Sequence, residues 1–244
     1  MIILAIDTSQ SASVALVDTD TGSVIAAQQA DDQRRHVEFI GPALAGVLAE
    51  DAQPELVVVG IGPGPFTGLR VGIAAGIAVG QARGIPVKGL LSQAAIAEEL
   101  VRSAEDSPGP APEVASPAAH ASDGPVLIAS DARRKEVYFS VYDSADARLN
   151  AGPFVAKPAE VASVLADNGY QLDTIDQKLG RGILLYPDIL GESTSESITD
   201  PRAEYLAFAA ARELAAGREL REPIPEYLRE PDAKATPVRE SSLK

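Results

Sequence analysis

Residues 57–84, VVVGIGPGPFTGLRVGIAAGIAVGQARG, decide the fold class. Three β-branched residues, Val57, Val58 and Val59, predict a buried strand that stops at a Gly/Pro loop over 60–68. A small-residue segment follows, with glycine at 68, 72, 76, 80 and 84. Four-residue spacing places neighbouring glycines on one slowly drifting stripe of a helix. Each glycine in a helix interior costs about 1 kcal/mol relative to alanine, so the stripe needs an offsetting gain. Close approach of another backbone supplies one. The spacing alone leaves two surfaces open for that approach: a second helix, or the chain's own sheet.

Working outward, the pattern stays that of an α/β chain. The 244 residues are 45% hydrophobic, enough for a substantial core in one or two domains. Residues 2–6 read as a buried strand, 13–18 and 23–28 as its antiparallel partners, with Asp7 to Ser11 as the first turn. Val37, Ile40, Leu44, Val47 and Leu48 give helical periodicity over 34–50, with Pro42 as a kink or break. A short strand over 86–90 and a helix over 92–102, capped by Ser92, complete a first lobe, residues 1–102. The order βββαβαβα mixes hairpins with crossovers and implies a mixed sheet flanked by helices.

Residues 103–124 are rich in Ala, Pro and Ser and read as a linker or surface excursion, with His120 solvated in it. A second, smaller α/β lobe follows over 125–200. It has strands at 126–130 and 136–143 around a tight turn at Asp131 to Lys135, a helix over 157–167, and a glycine-broken strand over 180–185. An alanine-rich helix over 201–217 returns to complete the first lobe, and residues 218–244 form a Pro-rich charged tail anchored at Tyr227 and Leu228.

The net charge of −14 argues against a stand-alone nucleic-acid binder. Arg133, Arg134 and Lys135 form the only basic triplet, readable as a small basic patch or as a solvated turn. There is no cysteine, hence no disulfide, thiolate metal site or cysteine nucleophile. The N-terminal apolar run is six residues long without a basic flank, which predicts no signal peptide. Arg70 and Arg83 interrupt the small-residue helix, so no membrane span is expected and the chain is placed in the cytoplasm.

Few residues carry chemistry. Asp7, Thr8 and Ser9 end the first strand; a carboxylate and hydroxyls there hold a phosphate-bound metal or simply cap the turn. The Gly62 to Gly68 loop opens a helix, where free N–H groups suit an anion, but Pro63 and Pro65 remove two donors and no P-loop lysine follows. Thr67 is the expected N-cap. His36 lacks a second histidine at 39 or 40, where Phe39 and Ile40 stand, and no Ser-His-Asp set exists. A chain with a robust core and no catalytic set is expected to act through surfaces.

Five segments together resemble the TsaB (YeaZ) family: ILAIDTSQSASVALVD at 3–18, RRHVEFIGPAL at 34–44, VVGIGPGPFTGLRVGIAAGIAVG at 58–80, SDARRKEVYFSVYD at 130–143 and PEYLRE at 225–230. The resemblance implies an actin-like, heat-shock-chaperone-like ATPase fold with two related ribonuclease H-like lobes. It implies a non-catalytic scaffold for a TsaD-type catalytic subunit, in a complex that threonylcarbamoylates the adenosine beside the tRNA anticodon. The catalytic relative's His-x3-His metal pair is absent, with only His36 in that region. By the same resemblance the partner meets the first lobe's helices. The implied contacts are His36, Phe39, Ile40, Leu69, Arg70, Gly72, Ile73, Gly76 and Gly80, and Gly76→Leu is expected to weaken that contact. A TsaE-type ATPase joins through the complex, tRNA is met indirectly, and the chain alone forms a homodimer. No intrinsic cofactor is implied; ATP or ADP and metal are expected in partner subunits or at the subunit interface. Asp7, Thr8 and Ser9 would be a vestigial phosphate or metal turn. The alternative is a kinase or ATPase acting alone, with Asp7 and Asp131 as its carboxylates.

Overall fold

The computed structural model describes residues 1–30, 36–105 and 124–229, without the side chains of His36 and Val37. Most of the expected linker with His120, the helix start at Arg34 and Arg35, and the tail from 230 onward lie outside the described residues.

The first sheet forms from β1 (Ile2–Asp7), β2 (Ser13–Asp18), β3 (Ser23–Gln29), β4 (Leu56–Gly60) and β5 (Val87–Leu90). Its order is β3-β2-β1-β4-β5. The first three strands run antiparallel, while β4 lies parallel to β1 and β5 parallel to β4. Strand periodicity divides the residues between two faces. Leu4, Ile6, Val14, Leu16, Val57 and Val59 face α1 (His36–Val47) and α2 (Phe66–Arg83). Ile3, Ala5, Ala15, Val17 and Val58 face α7 (Ala203–Ala215), which comes from far along the chain. Both faces being buried explains why β1 and β4 read as unbroken apolar runs.

The second sheet repeats the order with β8 (Leu149–Ala156), β7 (Val137–Asp143), β6 (Pro125–Asp131) and β9 (Gln177–Leu179). Again β6–β7–β8 is an antiparallel meander with a fourth strand parallel to the first. One face packs on α3 (Gln93–Glu105) and on Ala209 of α7; the other is covered by α4 (Val161–Asp167), α5 (Arg181–Leu185) and α6 (Pro187–Leu190). The helices α3 and α7 therefore lie between the two sheets. Glu98, almost fully buried, accepts two hydrogen bonds from Arg212 at 2.7 and 2.9 Å and ties α3 to α7.

Two local expectations are corrected. Residues 181–185 are a helical turn rather than a strand, because Gly182 packs directly on Ala129 of β6. Thr67 lies within α2, whose N-cap is Pro65 without a side-chain hydrogen bond. Pro42 sits inside α1 without ending it. Among the described residues no helix is long and apolar enough to cross a membrane.

Candidate functional site

Two hairpin turns meet where the lobes join. The first connects β1 to β2. Asp7 ends β1, and its Oδ1 accepts hydrogen bonds from the Ser9 backbone N–H at 2.8 Å and the Ser9 hydroxyl at 2.7 Å. Thr8 donates its hydroxyl to the Gly68 carbonyl at 2.8 Å and accepts from the Gly72 N–H at 3.1 Å, pinning the turn to α2. All three side chains are fully buried. The other Asp7 oxygen, Oδ2, lies buried beside Gly60 and Ser92. Burial pushes the Asp7 pKa up to about 6, opposed by the Ser92 and Ser9 hydroxyls.

That carboxylate is sealed. A Cβ added to Gly60 would lie 1.8 Å from Oδ2 and 2.7 Å from the Ser92 hydroxyl. The rest of the turn is tied to the second lobe. Ser11 donates to Asp200 at 2.5 Å, and Arg181 clasps the same carboxylate at 2.8 and 2.6 Å. The Gln10 amide donates to the Asp131 carbonyl at 3.1 Å. A phosphate-bound metal must reach a carboxylate oxygen, and these contacts bury the oxygen on offer. In this structure Asp7, Thr8 and Ser9 hold the turn, the capping role that the sequence also allowed.

The second turn connects β6 to β7 and faces outward. The Arg133 N–H donates to Asp131 Oδ1 at 2.7 Å, and the Ala132 N–H to the Glu136 carbonyl at 3.1 Å. Between them Arg133, Arg134 and Lys135 have φ of 59°, 54° and 59°. For residues with a Cβ this left-handed conformation costs about 1–2 kcal/mol each. All three are exposed. Asp131, the second carboxylate of the enzyme reading, is spent holding the turn and pairing with Arg133 at 3.2 Å.

The helix face implied for a partner is turned inward. Leu69 and Ile73 are in the first core with Ile40, and Phe39 packs against it. A Cβ on Gly72 would lie 2.4 Å from Thr8 Oγ1, one on Gly76 2.3 Å from Val59 Cγ1, and one on Gly80 2.2 Å from Val87 Cγ2. The glycine stripe thus lets α2 approach the chain's own sheet. Ile40, Leu69, Gly72, Ile73, Gly76 and Gly80 are corrected as direct partner contacts, because the sheet already occupies their face. His36 begins α1.

Arg70 is exposed, but its guanidinium lies 4.1 Å over the Phe66 ring and donates to the Tyr227 hydroxyl at 2.9 Å. Tyr227 stacks on Phe66, with ring centroids 4.1 Å apart. The segment that carries it is fixed by the Glu226 N–H, which donates to the Ile61 carbonyl at 2.8 Å. A cavity of about 180 Å³ opens between the helix start, the basic turn and this segment. The sequence signalled its two ends separately, in the basic triplet and the Tyr227–Leu228 anchor, but a separation of 94 residues in the chain hid their meeting.

The outward faces differ in kind. On α1, Gly41, Pro42 and Ala45 are exposed; on the adjoining α2, Ala74 and Ala78 are. These five carry no charge; the exposed Glu38 and Arg70 lie on the same stripes of α1 and α2.

Comparison with known proteins gives a consistent picture. The family model described as TsaD, tRNA N6-adenosine threonylcarbamoyltransferase, matches residues 23–236. An uncharacterized protein of Mycobacterium leprae is 40% identical over 167 residues, covering 66% of this chain and 40% of that protein. The tRNA threonylcarbamoyladenosine biosynthesis protein TsaB of Haemophilus influenzae is 32% identical over 162 residues, covering 58% of this chain and 59% of that protein. The aligned region thus spans less than two thirds of either relative. The solved structure of YeaZ from Pseudomonas aeruginosa superposes with a TM-score of 0.70 at 25% identity, covering 93% of this chain and all of that one.

Proposed function

Since this chain belongs to the TsaD family, in its YeaZ/TsaB branch, and so has the actin-like ATPase-type fold, we propose that it is a non-catalytic subunit of a threonylcarbamoyladenosine-synthesis complex. In this reading it docks a TsaD-type catalytic subunit, and the complex threonylcarbamoylates the adenosine next to the tRNA anticodon. The observation that carries it is the sealed first turn. An actin-like enzyme acting alone needs Asp7 to meet a phosphate-bound metal, and Asp7 is fully buried beneath Gly60 and Ser92.

The docking face follows from which side of α2 remains. With the glycines spent on the sheet, a partner helix meets the uncharged residues Gly41, Pro42, Ala45, Ala74 and Ala78. Small side chains allow close helix approach, with the charged Glu38 and Arg70 on the same stripes. Without its partner the same face supports a homodimer. ATP or ADP, metal and the TsaE-type ATPase belong to the partner subunits, and tRNA is met through them.

The test is co-purification with the TsaD-type subunit of the same organism, followed by size-exclusion chromatography with light scattering. The expected result is a stable heterodimer that Ala74→Glu weakens roughly a hundredfold or more, because the contact would bury an unpaired carboxylate. Gly76→Leu is the wrong probe. Its side chain would collide with Val59 inside the chain, so the variant is expected to lose its fold. Turnover of Mg-ATP by the isolated chain, or a heterodimer indifferent to Ala74→Glu, would overturn this reading or its placement of the face.

A further inference from the structure

A second cavity, of about 230 Å³, opens where the β7–β8 turn meets the end of α7. Leu90 at the end of β5, Leu91, Ala94 of α3, Ala147 and Leu149 give it an apolar wall. The turn at its mouth is fixed by main-chain contacts. The Asp143 N–H donates to the Arg148 carbonyl at 2.8 Å and the Ala147 N–H to the Asp143 carbonyl at 3.0 Å. The Arg148 N–H donates to Asp146 Oδ1 at 3.1 Å. Arg148 is thus held in place by its backbone, while its guanidinium takes no part in these contacts.

One buried polar group belongs to the same cavity. Tyr142 lines it and is 1% exposed, and its hydroxyl has no hydrogen-bond partner among the described residues. The charges acting on that hydroxyl are those of Arg221 and Glu213, two further lining residues, so the hydroxyl end of the ring faces the cavity. Burial pushes its pKa above the ordinary phenol value, which keeps it a donor at neutral pH. A buried donor without an acceptor is rare in folded proteins and calls for an explanation. Tyr142 pairs with Leu149 across β7 and β8, so the hydroxyl and the Arg148 guanidinium come from one hairpin.

The charged groups sort themselves. Arg218 is paired with Glu213 at 2.6 and 2.8 Å, and Arg221 with Glu226 at 2.9 Å. Arg148 and Glu219 also line the cavity and are exposed, and among the described residues neither side chain has an ion pair or hydrogen bond. One cation and one anion therefore remain at the mouth of an apolar cavity. A simple anion would answer Arg148 and leave Glu219 to repel it. A zwitterion answers both.

We propose that this cavity binds a free amino acid with a hydrophobic side chain, its carboxylate on Arg148 and the Tyr142 hydroxyl, its ammonium on Glu219. Guanidinium and carboxylate match in geometry, and the hydroxyl supplies a further donor. The side chain lies against Leu90, Leu91 and Leu149. An apolar cavity of about 150 Å³ takes a guest the size of benzene. The volume of about 230 Å³ adds room for the charged head group. The site shares no residue with the docking face on α1 and α2, so the two readings stand or fall separately.

The test is calorimetric titration of the full chain with L-leucine and L-phenylalanine, and with the N-acetyl and amide forms of each. At least one free amino acid is expected to bind with a Kd below about 1 mM. Its N-acetyl form, which lacks the ammonium, and its amide, which lacks the carboxylate, should each bind about tenfold more weakly or worse. Arg148→Gln and Glu219→Gln should give losses of the same size in a folded protein, since both side chains are exposed and unpaired. Tyr142→Phe removes a hydroxyl that no protein group uses, so its thermal midpoint should hold or rise while binding weakens several-fold. That combination separates a ligand contact from a structural one. Three results would overturn the proposal: neither amino acid binds, the N-acetyl form binds as tightly as the free one, or Arg148→Gln binds as well as the parent.

Discussion

The two lobes share the order of their first four strands, and each opens with a hairpin whose turn lies where the lobes join. Yet the turns have opposite fates. Residues Thr8 to Ala12 are at most 5% exposed, and their polar groups are consumed by α2, Asp200 and the Asp131 carbonyl. The equivalent turn of the second lobe places Arg133, Arg134 and Lys135 in solvent on a left-handed backbone. Repetition of a topology fixes where a turn lies. It does not fix whether the turn becomes interior or working surface. That is set by side chains: short hydroxyl and amide groups can be satisfied by neighbouring backbone, whereas three long cations cannot be buried together.

The largest effect that would break this contrast comes from Asp200→Ala. Asp200 is 3% exposed and gathers Ser11 from one lobe and Arg181 from the other. Removing it strands both donors, and we expect a loss of about 3 kcal/mol in urea unfolding. A loss below about 1 kcal/mol would mean that packing of α3 on α7 holds the lobes without the first turn's help.

Asp7→Asn is expected to work in the opposite direction. Asp7 has its pKa raised from an ordinary 3.8 to about 6, so the folded state holds that proton more tightly than the unfolded chain does. Its contribution therefore favours folding below about pH 4 and is lost as pH rises through 6. Asparagine stays neutral and keeps an Oδ1 for Ser9 to donate to. The variant should match the parent below about pH 4 and exceed it by about 1–3 kcal/mol above pH 7. Equal stability at both pH values would mean that the carboxylate is solvated and that the first turn is as open as the second.

The sequence revealed the periodic parts of the molecule. Alternating and continuous apolar runs located the first three strands and β4, β6 and β7, helical spacing located α1, and the Ser92 start and the alanine-rich run before Gly217 located α3 and α7. What it hid depended on distance. β8 and β9 are short or irregular, with β8 shifting register against β7 near Val141, so neither alternates cleanly. The glycine stripe at 72, 76 and 80 announced a close approach but not its partner. Only the Val57, Val59 and Val87 side chains lying against it identify the chain's own sheet. The cavity was harder still, since its walls come from Phe66, the 133–134 turn and Tyr227. No local pattern joins them.

The smallest expected effect sharpens the contrast most. At Arg134, φ is 54°, and the exposed side chain lies in the turn without entering either core. Glycine removes the steric cost of the left-handed backbone but gains freedom in the unfolded chain, so the two terms nearly cancel. Thermal unfolding of Arg134→Gly should therefore differ from the parent by less than about 1 kcal/mol, and toward stabilisation if at all. The equivalent experiment in the first turn has no such outcome. Thr8 holds Gly68 and Gly72 through its hydroxyl, and glycine there would leave a buried carbonyl and N–H without their partner. If Arg134→Gly instead destabilised the fold by 2 kcal/mol or more, its side chain would be structural, and the second turn would belong with the first as a joint between lobes.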